Sequence, residues 1–166
     1  MIDRFEGRYS FLSNFYDAPL TYEGITYRNS EAAYQSAKTD DMKRRKGFSD
    51  LSAGKAKELG RQLPLRKGWE DIKFAVMQDV VHEKFKQNAS LALLLTETCS
   101  EELVEGNYWH DNTFGDCKCP KCQGIVGVNA LGKILMAERR YWQETLGWPR
   151  KMGGIYDDKE TGRLLQ

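Results

Sequence analysis

No stretch of this sequence stays apolar for the ~20 residues that a helix needs to cross a bilayer, so no membrane-spanning helix and no membrane partner are expected. The opening residues, Met1-Ile-Asp-Arg-Phe-Glu6, are polar and lack the apolar centre of a secretory signal. A cytoplasmic location with reduced thiols is the expectation, and a secreted domain stapled by disulfides is not. Net charge is also nearly missing. Lys and Arg number 25 against 24 Asp and Glu, leaving +1, which excludes the overall basic field of a dedicated nucleic-acid binder. Internal repeats and low-complexity tracts are absent as well.

What is present is the composition of a soluble globular chain: 40% hydrophobic and 30% charged over 166 residues, enough for one domain with a sizeable core. Basic residues gather locally at Lys43-Arg-Arg-Lys46, Lys55, Lys57, Arg61, Arg66 and Lys67. They fit solvated helix faces, or a cationic side that attracts phosphates.

Residues 5–28 alternate aromatic and polar positions and read as short strands, with a hairpin turn at Glu23-Gly24. Ser30 suits a helix N-cap, with Glu31 in the first turn of a helix running to about Thr39. Ser52 suits the cap of a helix over Ala53 to Gln62. From Trp69 to Lys86, Ile72, Val76, Met77, Val80, Val81 and Phe85 fall on one stripe, with charges expected opposite. Asn88 suits the cap of a helix reaching about Thr98. Leu103 and Val104 suggest a brief strand, and a last helix starts near Asn129 with Leu131, Ile134, Leu135 and Trp142 on its apolar side. The whole reads as α+β, a mostly helical single domain with a small β-sheet, over residues 1–146. Residues 147–166 are expected to form a loosely docked, polar C-terminal tail.

Three groups of side chains carry chemistry. Phe11-Leu-Ser13-Asn14-Phe15-Tyr16 is a polar–aromatic turn, either a capping turn or a place where Ser13 and Asn14 bond a ligand and Phe15 or Tyr16 stacks on it. Glu31, Tyr34, Gln35 and Lys38 share nearly one helix face. On a surface they form an ordinary polar stripe; in a pocket, desolvation tunes Glu31 up and Lys38 down for proton exchange or imine formation. The third group is the loop Asn107-Tyr-Trp109-His-Asp111, leading to Gly127-Val-Asn129. There an exposed helix start suits phosphate, although a buried structural Asn129 fits equally. Trp69, in the first turn of its helix, suits core packing better than a ligand platform.

The thiols Cys117-x-Cys119-x-x-Cys122 are one ligand short of a zinc site, which Cys99 or His110 would have to supply. A structural zinc at Cys117, Cys119 and Cys122, and three reduced thiols that merely stiffen the loop, both remain open. No second Cys pair makes a zinc ribbon.

Phe11-Leu-Ser-Asn-Phe-Tyr, Ser30-Glu-x-x-Tyr-Gln-x-x-Lys, Gly68-Trp-x-x-x-Lys, and Asn107-Tyr-Trp-x-Asp followed by Gly127-x-Asn-x-Leu-Gly together resemble the NADAR (YbiA-like) superfamily, in order, over about residues 3–143. The resemblance implies an α+β fold and an N-glycosidase activity on a ribose-type sugar, without a cofactor. It implies catalytic roles for Glu31, Lys38 and Asp111, with Ser13, Asn14, Phe15, Tyr16, Tyr34, Gln35, Trp69, Trp109 and Asn129 around the substrate. The implied substrate bears ADP-ribose or a ribose phosphate. ADP-ribosylated guanine in nucleic acid is the favoured reading, beside early riboflavin-pathway intermediates or a non-catalytic ADP-ribose-binding module.

Overall fold

The computed structural model describes residues 1–147, so the expected tail from 148 onward lies outside the described residues. A short 3-10 helix (Gly7–Leu12) precedes an antiparallel hairpin of β1 (Asp17–Tyr22) and β2 (Ile25–Asn29). Glu23 and Gly24 both take positive φ, 48° and 81°, the geometry that matches a two-residue turn to right-twisted strands. Ala18, Leu20, Tyr22, Ile25 and Tyr27 alternate inward, as a half-buried hairpin requires. The register slips between Asp17 and Leu20, at the proline that has no N–H to give the ladder.

Strand β2 runs straight into α1 (Ser30–Ser36). The cap is Asn29 rather than the expected Ser30: its side chain accepts from the Ala32 amide at 2.8 Å. The strand's inward alternation ends on Asn29, so Ser30 already stands in the first helical turn. Every residue of α1 is buried, packed against both strands, α3 (Ala53–Arg61) and α4 (Trp69–Gln87). Such closeness needs small residues, here Ala32, Ala33 and Gly60. A Cβ on Gly60 would fall 2.0 Å from the Gln35 Oε1 atom.

Helix α4 buries the predicted stripe, with Ile72 at its edge. A charge also stands within the stripe: Lys84, one turn beyond Val80 and Val81, is fully buried. Its ammonium donates to the Phe11 and Ser13 carbonyls at 2.6 and 2.9 Å, groups that a tight turn leaves pointing inward. A short α2 (Met42–Lys46) lies between α1 and α3, and α5 (Ala89–Thr96) follows α4. Asn88 precedes α5 without capping it; its side chain donates instead to the Pro19 and Lys84 carbonyls.

Leu103 bridges Ile2, and the strand expected there falls slightly later, as a two-residue parallel pair of β3 (Gly106–Asn107) and β4 (Asp116–Cys117). Among the described residues the strands thus form two two-stranded sheets, in keeping with the small β content expected. Helix α6 (Ala130–Thr145) closes the described fold against α4 and α5. No helix among the described residues is long and apolar enough to cross a membrane.

Candidate active site

Two segments distant in sequence are clipped to α1. The turn at Ser13–Phe15 is closed by the Phe15 amide donating to the Ser13 hydroxyl at 3.1 Å. The Glu31 amide donates to the Asn14 carbonyl at 3.1 Å, so this turn fixes the start of the helix that carries Glu31. Lys84 anchors the same turn from beneath.

The second segment, 107–116, is organised by Asn107, which is almost fully buried. Its amide nitrogen donates to the Asp111 carbonyl at 2.7 Å, and its oxygen accepts from the Trp109 and Asp111 amides at 3.2 Å. One carboxylate oxygen of Asp111 accepts from the Thr113 and Phe114 amides, both at 2.9 Å. Phe114 in turn meets Tyr34 edge-on at 5.4 Å, bringing the loop against α1.

Between the segments lies a cavity of about 370 Å³. Ser13, Asn14, Phe15, Glu31, Tyr34, Gln35, Trp109 and Asp111 all line it, eight of the twelve residues singled out in the sequence. Glu31 is 7% exposed and accepts from the Gln35 amide at 2.7 Å. Burial pushes its carboxyl above the ordinary range; the Gln35 hydrogen bond and the charges of Lys57 and Lys38 oppose this, and Asp111 adds to it. At the mouth, the exposed rings of Phe15 and Trp109 both stand 5.5 Å from the Lys57 ammonium.

The other four residues do not line the cavity. Trp69 is buried behind it, 5.4 Å from Tyr34, where it backs the wall. Lys38 stands over Tyr34 at 6.0 Å, its amine pulled below the ordinary range chiefly by burial. Tyr16 lines a neighbouring shallow groove instead, which it shares with Phe15. Asn129 is buried, accepting from the Glu105 amide at 3.0 Å and donating to the Leu103 carbonyl at 2.9 Å. The phosphate site expected at the start of α6 is also closed. The Val128, Asn129, Ala130 and Leu131 amides are spent on the carbonyls of Asn112, Gly115, Thr113 and Phe114.

Sequence reasoning missed Glu105 and Lys57. Glu105 is half-buried at the cavity wall, its carboxyl pushed up to about 8 by burial, with Asp111 and Glu31 adding repulsion. Nothing around Val104-Glu105-Gly106 marks it, whereas Lys57 was visible only as one of a run of basic residues.

A family model described as "NADAR domain" matches residues 3–142. The chain belongs to the NADAR family. Among similar NADAR relatives, N-glycosidase YbiA of Escherichia coli strain K12 is 36% identical over 138 residues, 79% of this chain and 80% of that protein. A riboflavin biosynthesis protein of Vibrio vulnificus is also 36% identical, over 82% of this chain, but the match spans only 36% of that longer protein. An N-glycosidase of Nostoc punctiforme is 28% identical over 90% of this chain and 93% of its own. The solution NMR structure of E. coli YbiA superposes with a TM-score of 0.73 at 32% identity, covering 93% of this chain and 94% of that one. The single α+β domain is therefore the NADAR fold.

Proposed function

We propose that this chain is an N-glycosyl hydrolase that breaks the bond between a ribose phosphate-type sugar and a nitrogenous base inside this cavity. The observation that carries the reading is the shared position of Glu31 with Asp111 and Trp109 around one cavity. NADAR relatives named as N-glycosidases support the reaction class.

Breaking an N-glycosidic bond develops positive charge on the sugar. Glu31, held above its ordinary range by burial, lacks a full counter-charge, and the developing oxocarbenium supplies it. The carboxylate then directs water to the anomeric carbon as general base, with Asp111 as the alternative group. Glu105, protonated near neutral pH, is placed by its chemistry to give a proton to the departing nitrogen. Lys38 lies outside the lining, which favours direct hydrolysis over capture of the sugar as an imine. Phe15 and Trp109 offer faces to a base, and Lys57 between them offers charge to phosphate. The buried Asn14 oxygen accepts nothing from the protein and suits a sugar hydroxyl.

For the leaving group, the favoured reading is guanine of nucleic acid carrying ADP-ribose. Two exposed rings at an open mouth suit a base presented on a polymer, extruded or in single strand. The cationic side of α2 and α3 lends less support than its sequence suggests, because Arg44, Arg45, Lys55 and Arg66 are paired with Asp41, Glu23, Glu58 and Asp40. The Vibrio relative's name favours a second reading, an early riboflavin-pathway intermediate.

An ADP-ribosylated oligonucleotide and such an intermediate, assayed side by side for released base, separate the two. Glu31→Gln is expected to cut release by about 10²–10⁴-fold with the melting profile retained. Undiminished turnover would remove Glu31 from the mechanism, and tight binding without release of any base would leave a binding module instead.

A further inference from the structure

We propose that His110, Cys117, Cys119 and Cys122 bind one zinc ion that fastens the Trp109–Asp111 loop. Their ligand atoms all lie within 4.8 Å of one another. The His110 Nδ1 atom is 3.2 Å from the Cys119 sulfur and 3.4 Å from that of Cys122. A tetrahedral site with Zn–S near 2.3 Å and Zn–N near 2.05 Å has S···S edges of about 3.8 Å and S···N edges of about 3.6 Å, so these four atoms need only small adjustments.

Three further observations favour a metal over a loose thiol cluster. The three cysteines are buried together as a separate cluster, away from the main core, where packing alone gives them little to do. Two of the sulfurs already receive hydrogen bonds, from the His110 amide to Cys117 at 3.3 Å and from the Asn112 side chain to Cys122 at 3.4 Å, as coordinated thiolates do. Finally, His110 takes φ of 68°, a left-handed conformation that a non-glycine residue holds only where its surroundings impose it, and here it turns the imidazole onto the sulfurs. A disulfide would use two thiols and leave the third, with the imidazole, unexplained.

Three soft thiolates and one imidazole select zinc, with copper(I) or iron as the competitors. Binding releases the three thiol protons and leaves the set with one net negative charge. Cys99 is outside the group; its thiol donates to the Glu97 carbonyl. Of the two fourth ligands open in the sequence, the geometry therefore selects His110. Because His110 sits between Trp109 and Asp111, the ion clasps the cavity's outer wall from behind without entering it. The proposal stands whether or not the cavity is a glycosidase.

Elemental analysis of untagged protein, grown with zinc and kept reduced, should give one zinc per chain. Cys119→Ser and Cys122→Ser should bring the content close to zero, while Cys99→Ser keeps it at one. Because a ligand variant that misfolds would also lose metal, the unaltered chain supplies a second measurement. Stripped by chelator, it should melt at lower temperature, regain its melting point with zinc, and show with cobalt a thiolate charge-transfer band that zinc abolishes. A reduced chain that carries no metal and takes up neither ion, or metal content equal in the unaltered chain and Cys119→Ser, would overturn the site. A chain filled with copper or iron in preference to zinc would overturn the choice of ion.

Discussion

At the scale of single residues, Glu105 is the most consequential group that its neighbours in sequence gave no reason to notice. Its carboxyl sits near 8 in the fold against about 4.5 outside it. Folding therefore favours the protonated form. The stability this group contributes is full below about pH 4.5 and is lost as pH rises through about 8. Glu105→Gln should remove that loss, so its stability relative to the unaltered chain improves between pH 5 and pH 9 in denaturant titrations. If Glu105 also gives the proton to the leaving base, the same variant should lose the fall in kcat above about pH 8. A stability difference that does not change with pH would deny the shifted carboxyl. Glu31 was legible because helical spacing put it beside Tyr34 and Gln35. The choice of Phe15 rather than Tyr16 to line the cavity, and the seating of Trp69 behind Tyr34, depended on packing between distant segments that no local pattern encodes.

At the scale of elements, the contact of α1 with α3 controls the site. Gln35 holds Glu31, and Gly60 leaves the space in which Gln35 lies. Gly60→Ala should push Gln35 aside, destabilise the protein by about 1–3 kcal/mol and lower turnover. Gly54→Ala on the same helix meets nothing within 4 Å and should be neutral or stabilising by up to about 1 kcal/mol. Equal effects from both substitutions in thermal melts and assays would mean that the interhelical fit does not matter. The helices themselves were largely readable: a run of buried apolar positions marked α4, periodicity marked α6, and Ser52 caps α3 as its residue type suggests. The strands of β3 and β4 were not, because two residues carry no period and their pairing joins positions ten apart.

At the scale of the whole molecule, ligand binding and folding are linked. A sugar phosphate that occupies only the folded cavity should raise stability by about 2.7 kcal/mol at 100 times its Kd. For a chain of this size that is a melting shift of roughly 5–10 °C. ADP-ribose is the probe to use, with Lys57→Ala and Trp109→Ala expected to shrink the shift. An unchanged shift in both would move the ligand away from this mouth. The α+β class and the family were legible at this scale because the motifs run in order along nearly the entire chain. The phosphate site expected at the start of α6 was not, because whether a helix start is open depends on what the rest of the chain lays across it.

That covering has a mechanical consequence. Four consecutive amides, from Val128 to Leu131, are tied to the carbonyls of residues 112–115, just beyond Asp111. The jaw bearing Trp109 cannot swing like a lid without fraying the helix behind it. Substrates must therefore enter past a stiff sill and be sorted by shape at the doorway, and hydrogen exchange should find residues 112–115 and the first turn of α6 opening together, at one common rate.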